Sequence, residues 1–201
     1  MKTSNKFTLC RIILAPVFFI LYFIPVWLKS GPSSFISIAS VCLLIPLLAY
    51  AELTDYFDGH FARTHGEVSD FGKMFDPFAD VFLHLSTFTC FVFSGYMPVI
   101  FYVLILYREF SQMFLRMIAA KQGTAIAARK GGKLKTVFYV ASCFFALAHE
   151  SVKRLGFAEY LNLSVVLYIG YGFFAICVIL AYVSFVDYLK NFGSILKDVS
   201  K

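Results

Sequence analysis

Four aspartates carry the chemistry this sequence could perform. They lie in the stretch AELTDYFDGHFARTHGEVSDFGKMFDPFADV, residues 51–81. Asp55 and Asp58 are three positions apart, Asp76 and Asp80 four apart, spacings that put each pair on one face of a helix. A short link between the two pairs brings the four carboxylates together. So many negative charges in a partly desolvated place repel too strongly to stay ionised alone. Divalent cations remove that conflict, and an all-oxygen donor set selects magnesium, manganese or calcium over zinc. Two such ions about 3.5–4 Å apart suit phosphoryl or pyrophosphoryl chemistry. Gly59 and Ala62 follow Asp58 and let a ligand or a second helix approach the backbone. Arg63 adds a planar fork for a phosphate oxygen. Gly72 is read as a break ahead of the next helix, and Pro77 as a residue of that helix's first turn, where its missing N–H is harmless. A solvated acidic loop is the plainer reading, but it gives no role to these small residues.

The elements that must position these groups are membrane spans. Of 201 residues, 60% are hydrophobic, 19% aromatic and 15% charged, too little polar surface for a soluble core of this size. The same composition excludes disorder, collagen-like repeats and a disulfide scaffold. A helix crosses the bilayer core with about 20 apolar residues, and six segments qualify: 12–28, 35–53, 78–97, 98–120, 137–152 and 160–188. The runs are continuous and do not alternate, which argues against a barrel, and in lipid a helix satisfies its own backbone. The fold class expected is all-α, an integral membrane bundle of six transmembrane helices in a single domain, 1–201. The first span is read as retained, since it lacks a signal-peptide cleavage pattern. The short links at 29–34, 95–98 and 153–156 hold only Lys29, Lys153 and Arg154, against fourteen lysines and arginines on the other side, with Arg108 placed within the membrane. The basic side is then cytoplasmic, and both termini with it. Cys10, Cys42, Cys90, Cys143 and Cys177 have no metal-ligand spacing and are read as small buried hydrophobes. His84 and His149 are read as satisfied interior histidines.

The pattern Asp55-x-x-Asp58-Gly59-x-x-Ala62-Arg63, Gly72, Asp76, Asp80 resembles the signature of the CDP-alcohol phosphotransferases, with all eight of its fixed positions filled. The resemblance implies a six-helix bundle with a cytoplasmic-facing site. There an alcohol attacks the β-phosphorus of a CDP-linked lipid or alcohol, and CMP leaves. It implies that Asp55, Asp58, Asp76 and Asp80 hold two divalent ions, Mg2+ or Mn2+. Asp80 would also act as the general base on the acceptor hydroxyl. Asp55, Gly59, Ala62, Arg63 and Gly72 would line the cytidine diphosphate site. A homodimer is implied as well, with the aromatic-rich third and fourth spans available for the contact.

Two flanking regions point to the acceptor. The opening Asn5-Lys6-Phe7-Thr8-Leu9-Cys10-Arg11-Ile12-Ile13, and the series Arg108-Glu109, Leu115-Arg116, Ala119-Ala120, Gly123, Ala127-Ala128 and Gly132 to Thr136, resemble bacterial phosphatidylglycerophosphate synthases. Val81 and Tyr139 depart from them, standing where those enzymes commonly carry lysine and glutamine. The implied donor is CDP-diacylglycerol, the acceptor glycerol 3-phosphate, and the location the inner (cytoplasmic) membrane, among its lipids. Arg116, Lys133 and Lys135, with Arg108 deeper, form a basic group able to hold a phosphate dianion. Arg108 has an alternative, pairing with a helix-facing carboxylate. A phosphorylated acceptor and anionic lipid account for the net charge of +6, so nucleic acid is not needed as a partner. The competing readings are the same chemistry on another acceptor (inositol phosphate, serine, choline or a lipid), a small transporter or channel, and a metal-binding structural protein. Against a transporter, the acids gather at one membrane edge.

Overall fold

The computed structural model describes residues 3–64, 70–123 and 130–192, without the side chains of 3–5, 56–64, 70, 73 and 130. Over these residues the chain forms α1 (Thr3–Trp27), α2 (Phe35–Thr64), α3 (Asp70–Phe93), α4 (Val99–Lys121), α5 (Lys130–Arg154) and α6 (Leu163–Phe192). A single 3-10 turn, Ala158–Tyr160, precedes α6, and no strand occurs among the described residues. Among the described residues, three helices are long and apolar enough to cross a bilayer on those grounds alone: Lys6–Trp27, Phe35–Asp55 and Leu163–Phe192. The chain is a helical membrane protein.

α6 shows how such a helix divides its faces. Gly170, Phe174, Cys177, Ala181, Ser184 and Tyr188 are buried, a seam repeating every three or four residues. Val165, Ile169, Ile176, Ile179, Val183 and Val186 face outward. Aliphatic side chains outside and small or aromatic ones inside suit a helix whose solvent is lipid, where close packing rather than the hydrophobic effect holds helices together. α1 packs on α2 and α3, α6 packs on α4 and α5, and α3 and α5 bridge the two groups. The central core joins Phe18 and Tyr22 of α1, Leu44 and Leu48 of α2, Phe88 and Phe91 of α3, Tyr139 and Cys143 of α5, and Phe174 of α6. The ring of Phe88 meets Tyr139 and Phe174 edge-on, at 5.3 and 5.5 Å, a favoured aromatic geometry.

At one end of the bundle Arg154 ties three helices. It donates to Glu150 Oε1 at 2.6 Å, to Ser40 Oγ of α2 at 2.7 Å and to the Tyr22 carbonyl of α1 at 2.9 Å. Tyr96 closes the group by donating to Glu150 Oε2 at 2.5 Å. The chain turns sharply just beyond, at Gly156, whose φ of +82° favours glycine and where a Cβ would run into Ser33 Oγ.

Several expectations need correction. α3 begins at Asp70, so Gly72 lies inside the helix and is buried, and Pro77 is seven residues in rather than in the first turn. Hydropathy detects only the apolar part of a helix. The polar approach to α3 is helical too and tolerates the hydrogen bond that Pro77 removes. For the same reason α2 runs eleven residues past Leu53, and α5 begins seven residues before Val137. Cys90, Cys143 and Cys177 are buried as expected, but Cys10 is half-buried and Cys42 exposed. His149 is buried and packs its ring, tilted by 36°, against Tyr96 at 4.5 Å, yet its Nε2 has no partner among the described residues.

Candidate active site

The site forms where α1, α2 and α3 meet, at the end of the bundle away from Arg154. Asp55 closes the apolar part of α2, and Asp76 and Asp80 lie on successive turns of α3. Asp55 and Asp80 converge on one atom: Arg11 Nη1 donates to Asp55 Oδ1 at 2.6 Å and to Asp80 Oδ1. Thr8, one turn before Arg11 on α1, donates through Oγ1 to Asp76 Oδ1 at 2.7 Å. Three of the four aspartates are thus brought together. Asp58, Gly59, Ala62 and Arg63 fall on the last two turns of α2, but their side chains lie outside the described residues, as do those of His60 and His65.

Accessibility separates the two signs of charge. The Arg11 side chain is 1% exposed, while those of Asp55 and Asp80 are 45% and 28% exposed. The carboxylates are open to an incoming ligand while the guanidinium holds them from beneath. Among the described residues no group of three or more side chains is arranged to hold a metal ion, so the fit rests on the type of donor. Two carboxylate oxygens from two helices already share one centre of positive charge, and the donors are hard oxygens of the kind magnesium, manganese and calcium take. One turn deeper on each helix stand Glu52 of α2 and His84 of α3, with His84 Nε2 at 3.3 Å from Glu52 Oε1. His84 therefore has an acidic neighbour in the interior.

The basic residues expected to hold a phosphate divide into two groups. Arg108 and Lys135 are buried, and both bind Glu109: Arg108 Nη1 donates to Oε2 at 2.8 Å, and Lys135 Nζ to Oε1 at 2.7 Å. Tyr139 donates to the same Oε1 at 3.0 Å. Arg108 also reaches α6, through Nε to the Ala181 carbonyl at 2.9 Å and Nη2 to Ser184 Oγ at 3.2 Å. The alternative weighed for Arg108, a helix-facing carboxylate, is the one realised. Two cations on one carboxylate leave net positive charge. Arg116 and Lys133 are more accessible. Arg116 is half-buried, lies over the Tyr188 ring at 5.7 Å, and donates through Nη2 to Tyr188 Oη at 3.3 Å. Lys133 is exposed.

Sequence reasoning assigned no site role to Thr8 or Arg11. Both entered as members of the opening that resembles phosphatidylglycerophosphate synthases, and Arg11 also as a positive charge on the basic side. Its spacing from Thr8 does place both on one helical face, but its partners are 44 and 69 residues away, and no local pattern links them.

A helical membrane protein with aspartates from two helices converging on a buried arginine at one end of its apolar spans defines the class: a membrane-embedded enzyme. The chain belongs to the CDP-alcohol phosphatidyltransferase family, whose model matches residues 1–186. It is 37% identical over 204 residues to a CDP-diacylglycerol–glycerol-3-phosphate 3-phosphatidyltransferase of Treponema pallidum, covering 99% of this chain and 93% of that protein. It is 36% identical over 149 residues to the protein of the same name from Bacillus subtilis, covering 73% and 76% of the two chains. The family is generally dependent on a divalent metal.

Proposed function

We propose that this protein transfers the phosphatidyl group of CDP-diacylglycerol to glycerol 3-phosphate, giving phosphatidylglycerophosphate and CMP. The observation that carries this reading is the convergence of Asp55 and Asp80 on Arg11, with Asp76 held alongside by Thr8, in a chain similar over nearly its whole length to enzymes named for that reaction. The primary hydroxyl oxygen of glycerol 3-phosphate attacks the β-phosphorus, and the bond from that phosphorus to the CMP oxygen breaks. Asp80 takes the hydroxyl proton. A carboxylate with a reference pKa near 4 is a weak base, so position within hydrogen-bond reach is its main contribution. Asp55, Asp58, Asp76 and Asp80 would hold two divalent ions, magnesium or manganese, which neutralise charge on the diphosphate. Asp55, Gly59, Ala62, Arg63 and Gly72 line the cytidine diphosphate, and Arg116 and Lys133 take the acceptor phosphate. Arg108 and Lys135 stand beside it, fixed in place by Glu109.

The whole chain, 1–201, is proposed as one domain of six spans in the cytoplasmic membrane, with both termini and the site facing the cytoplasm. The donor then keeps its acyl chains in the bilayer while a water-soluble acceptor enters from outside it. A homodimer is proposed too. Phe78 and Phe82 of α3 and Tyr107, Phe110 and Phe114 of α4 are exposed and offer aromatic surface for the contact.

CMP release against a panel of acceptors tests the reading. Release with glycerol 3-phosphate and divalent ion, lost on chelation, is expected. Release with inositol phosphate but none with glycerol 3-phosphate overturns the acceptor assignment. Asp80→Asn should abolish release while leaving thermal stabilisation by CDP-diacylglycerol largely intact. Wild-type turnover by this variant removes Asp80 from the mechanism.

A further inference from the structure

Gln112 of α4 is buried, only 4% exposed, yet neither Nε2 nor Oε1 of its amide has a hydrogen-bond partner among the described residues. Buried side-chain polar atoms in native structures are nearly always paired, and leaving one unpaired is costly. A side chain with both a donor and an acceptor unused is therefore unusual, and its neighbours indicate what it meets. Glu109 and Arg108 lie three and four residues before it on α4, and Arg116 four after, so all share its face. The turn before it is fully engaged: Glu109 accepts from Arg108, Lys135 and Tyr139, and Arg108 is tied to α6. The turn after it is not, since Arg116 Nε also lacks a partner among the described residues. Gln112 thus stands between the Glu109 network, whose Tyr139 ring meets His84, one turn from Asp80, at 5.6 Å, and Arg116, whose Nε has no partner among the described residues.

We propose that Gln112 recognises the secondary hydroxyl of the acceptor, an inference that rests on the reading of glycerol 3-phosphate as substrate. With its phosphate at Arg116 and its primary hydroxyl at Asp80, the acceptor carries one remaining polar group, the hydroxyl on its middle carbon. That hydroxyl donates one hydrogen bond and accepts others. A neutral amide supplies both complements, Oε1 to accept and Nε2 to donate, without the desolvation cost of a further charge. Gln112 is in this account a specificity-determining residue: it distinguishes a vicinal diol phosphate from a phosphate with the same chain and no middle hydroxyl.

The test compares the full-length wild type with Gln112→Met in CMP release, using glycerol 3-phosphate and 3-hydroxypropyl phosphate, which lacks the secondary hydroxyl. The wild type should show a KM about tenfold lower for glycerol 3-phosphate than for the deoxy acceptor, the size of one good hydrogen bond. Gln112→Met should raise the KM for glycerol 3-phosphate by about the same factor and leave the other two values unchanged, the deoxy acceptor's KM and that for CDP-diacylglycerol. Gln112→Ser, with less bulk, is run in parallel and should show the same pattern, so the result does not depend on how well one replacement packs. Equal losses on both acceptors, or no loss on either, overturn the inference while leaving the acceptor reading standing. A wild type that releases CMP with inositol phosphate and not with glycerol 3-phosphate overturns both.

Discussion

Arg11 shows what a single buried cation does for a site built from carboxylates. Asp55 and Asp80 come from different helices, and their oxygens meet on one guanidinium nitrogen. Without that charge they would repel, and the ends of α2 and α3 would lose an electrostatic link. Arg11→Met keeps much of the apolar stem and removes the charge. Hydrogen bonds to charged groups contribute about 1.5–3 kcal/mol, and the exposure of both aspartates puts the expected loss toward the lower end. The metal-free variant should therefore melt several degrees below the wild type. Added magnesium should also stabilise it more than it stabilises the wild type, because the ion no longer competes with Arg11 for the same oxygens. Thermal melts with and without magnesium decide this; an equal magnesium shift in both proteins would show that Arg11 does not share the metal's oxygens. The aspartates themselves were legible in the sequence because helical spacing of three and four is local information. Arg11 was not, because its role exists only once α1 lies against α2 and α3.

The helices differ in how they carry charge into the membrane, and this explains why only some are recognised by hydropathy. α1, the first part of α2 and α6 are almost wholly apolar and qualify directly. α4 and α5 contain Arg108, Glu109, Lys135 and Glu150, and a window that counts charges penalises each one. In the fold those charges cancel across helices, with Glu109 joining α4 to α5 and Arg108 joining α4 to α6. The polar first turns of α3 and α5 escaped a reading based on apolar runs, whereas the existence and order of the six elements were legible. Glu109→Leu should be much more damaging than its size suggests. It leaves Arg108 and Lys135 buried without their counter-ion, a situation that costs about 3–5 kcal/mol. Replacing all three together, as Arg108→Met, Glu109→Leu and Lys135→Met, removes the stranded charges and should recover most of that stability. Thermal unfolding of the single and triple variants in detergent measures it. A triple variant no more stable than Glu109→Leu alone would mean the network contributes through packing rather than charge.

At the scale of the whole molecule, the uneven distribution of lysine and arginine predicts an orientation. Some of the charges counted on the basic side have internal work: Arg11 holds aspartates and Lys135 holds Glu109. On the sparse side Arg154 is likewise committed to Glu150, Ser40 and the Tyr22 carbonyl. Setting Arg11, Lys135 and Arg154 aside leaves twelve lysines and arginines on the basic side against two on the other, so the imbalance in the sequence stands. Orientation follows lysine and arginine in short loops near span ends rather than net charge, and the links at 29–34 and 153–156 are short enough for the rule to apply. Both termini should then be cytoplasmic. A fluorescent protein that matures only in the cytoplasm, fused after Lys201, should be bright in cells. An alkaline phosphatase active only outside the cytoplasm should be active when placed after Phe157 and silent after Lys201. The reverse pattern would put the aspartates on the outer face, away from a cytoplasmic acceptor, and would sink the proposed orientation even if the purified enzyme releases CMP.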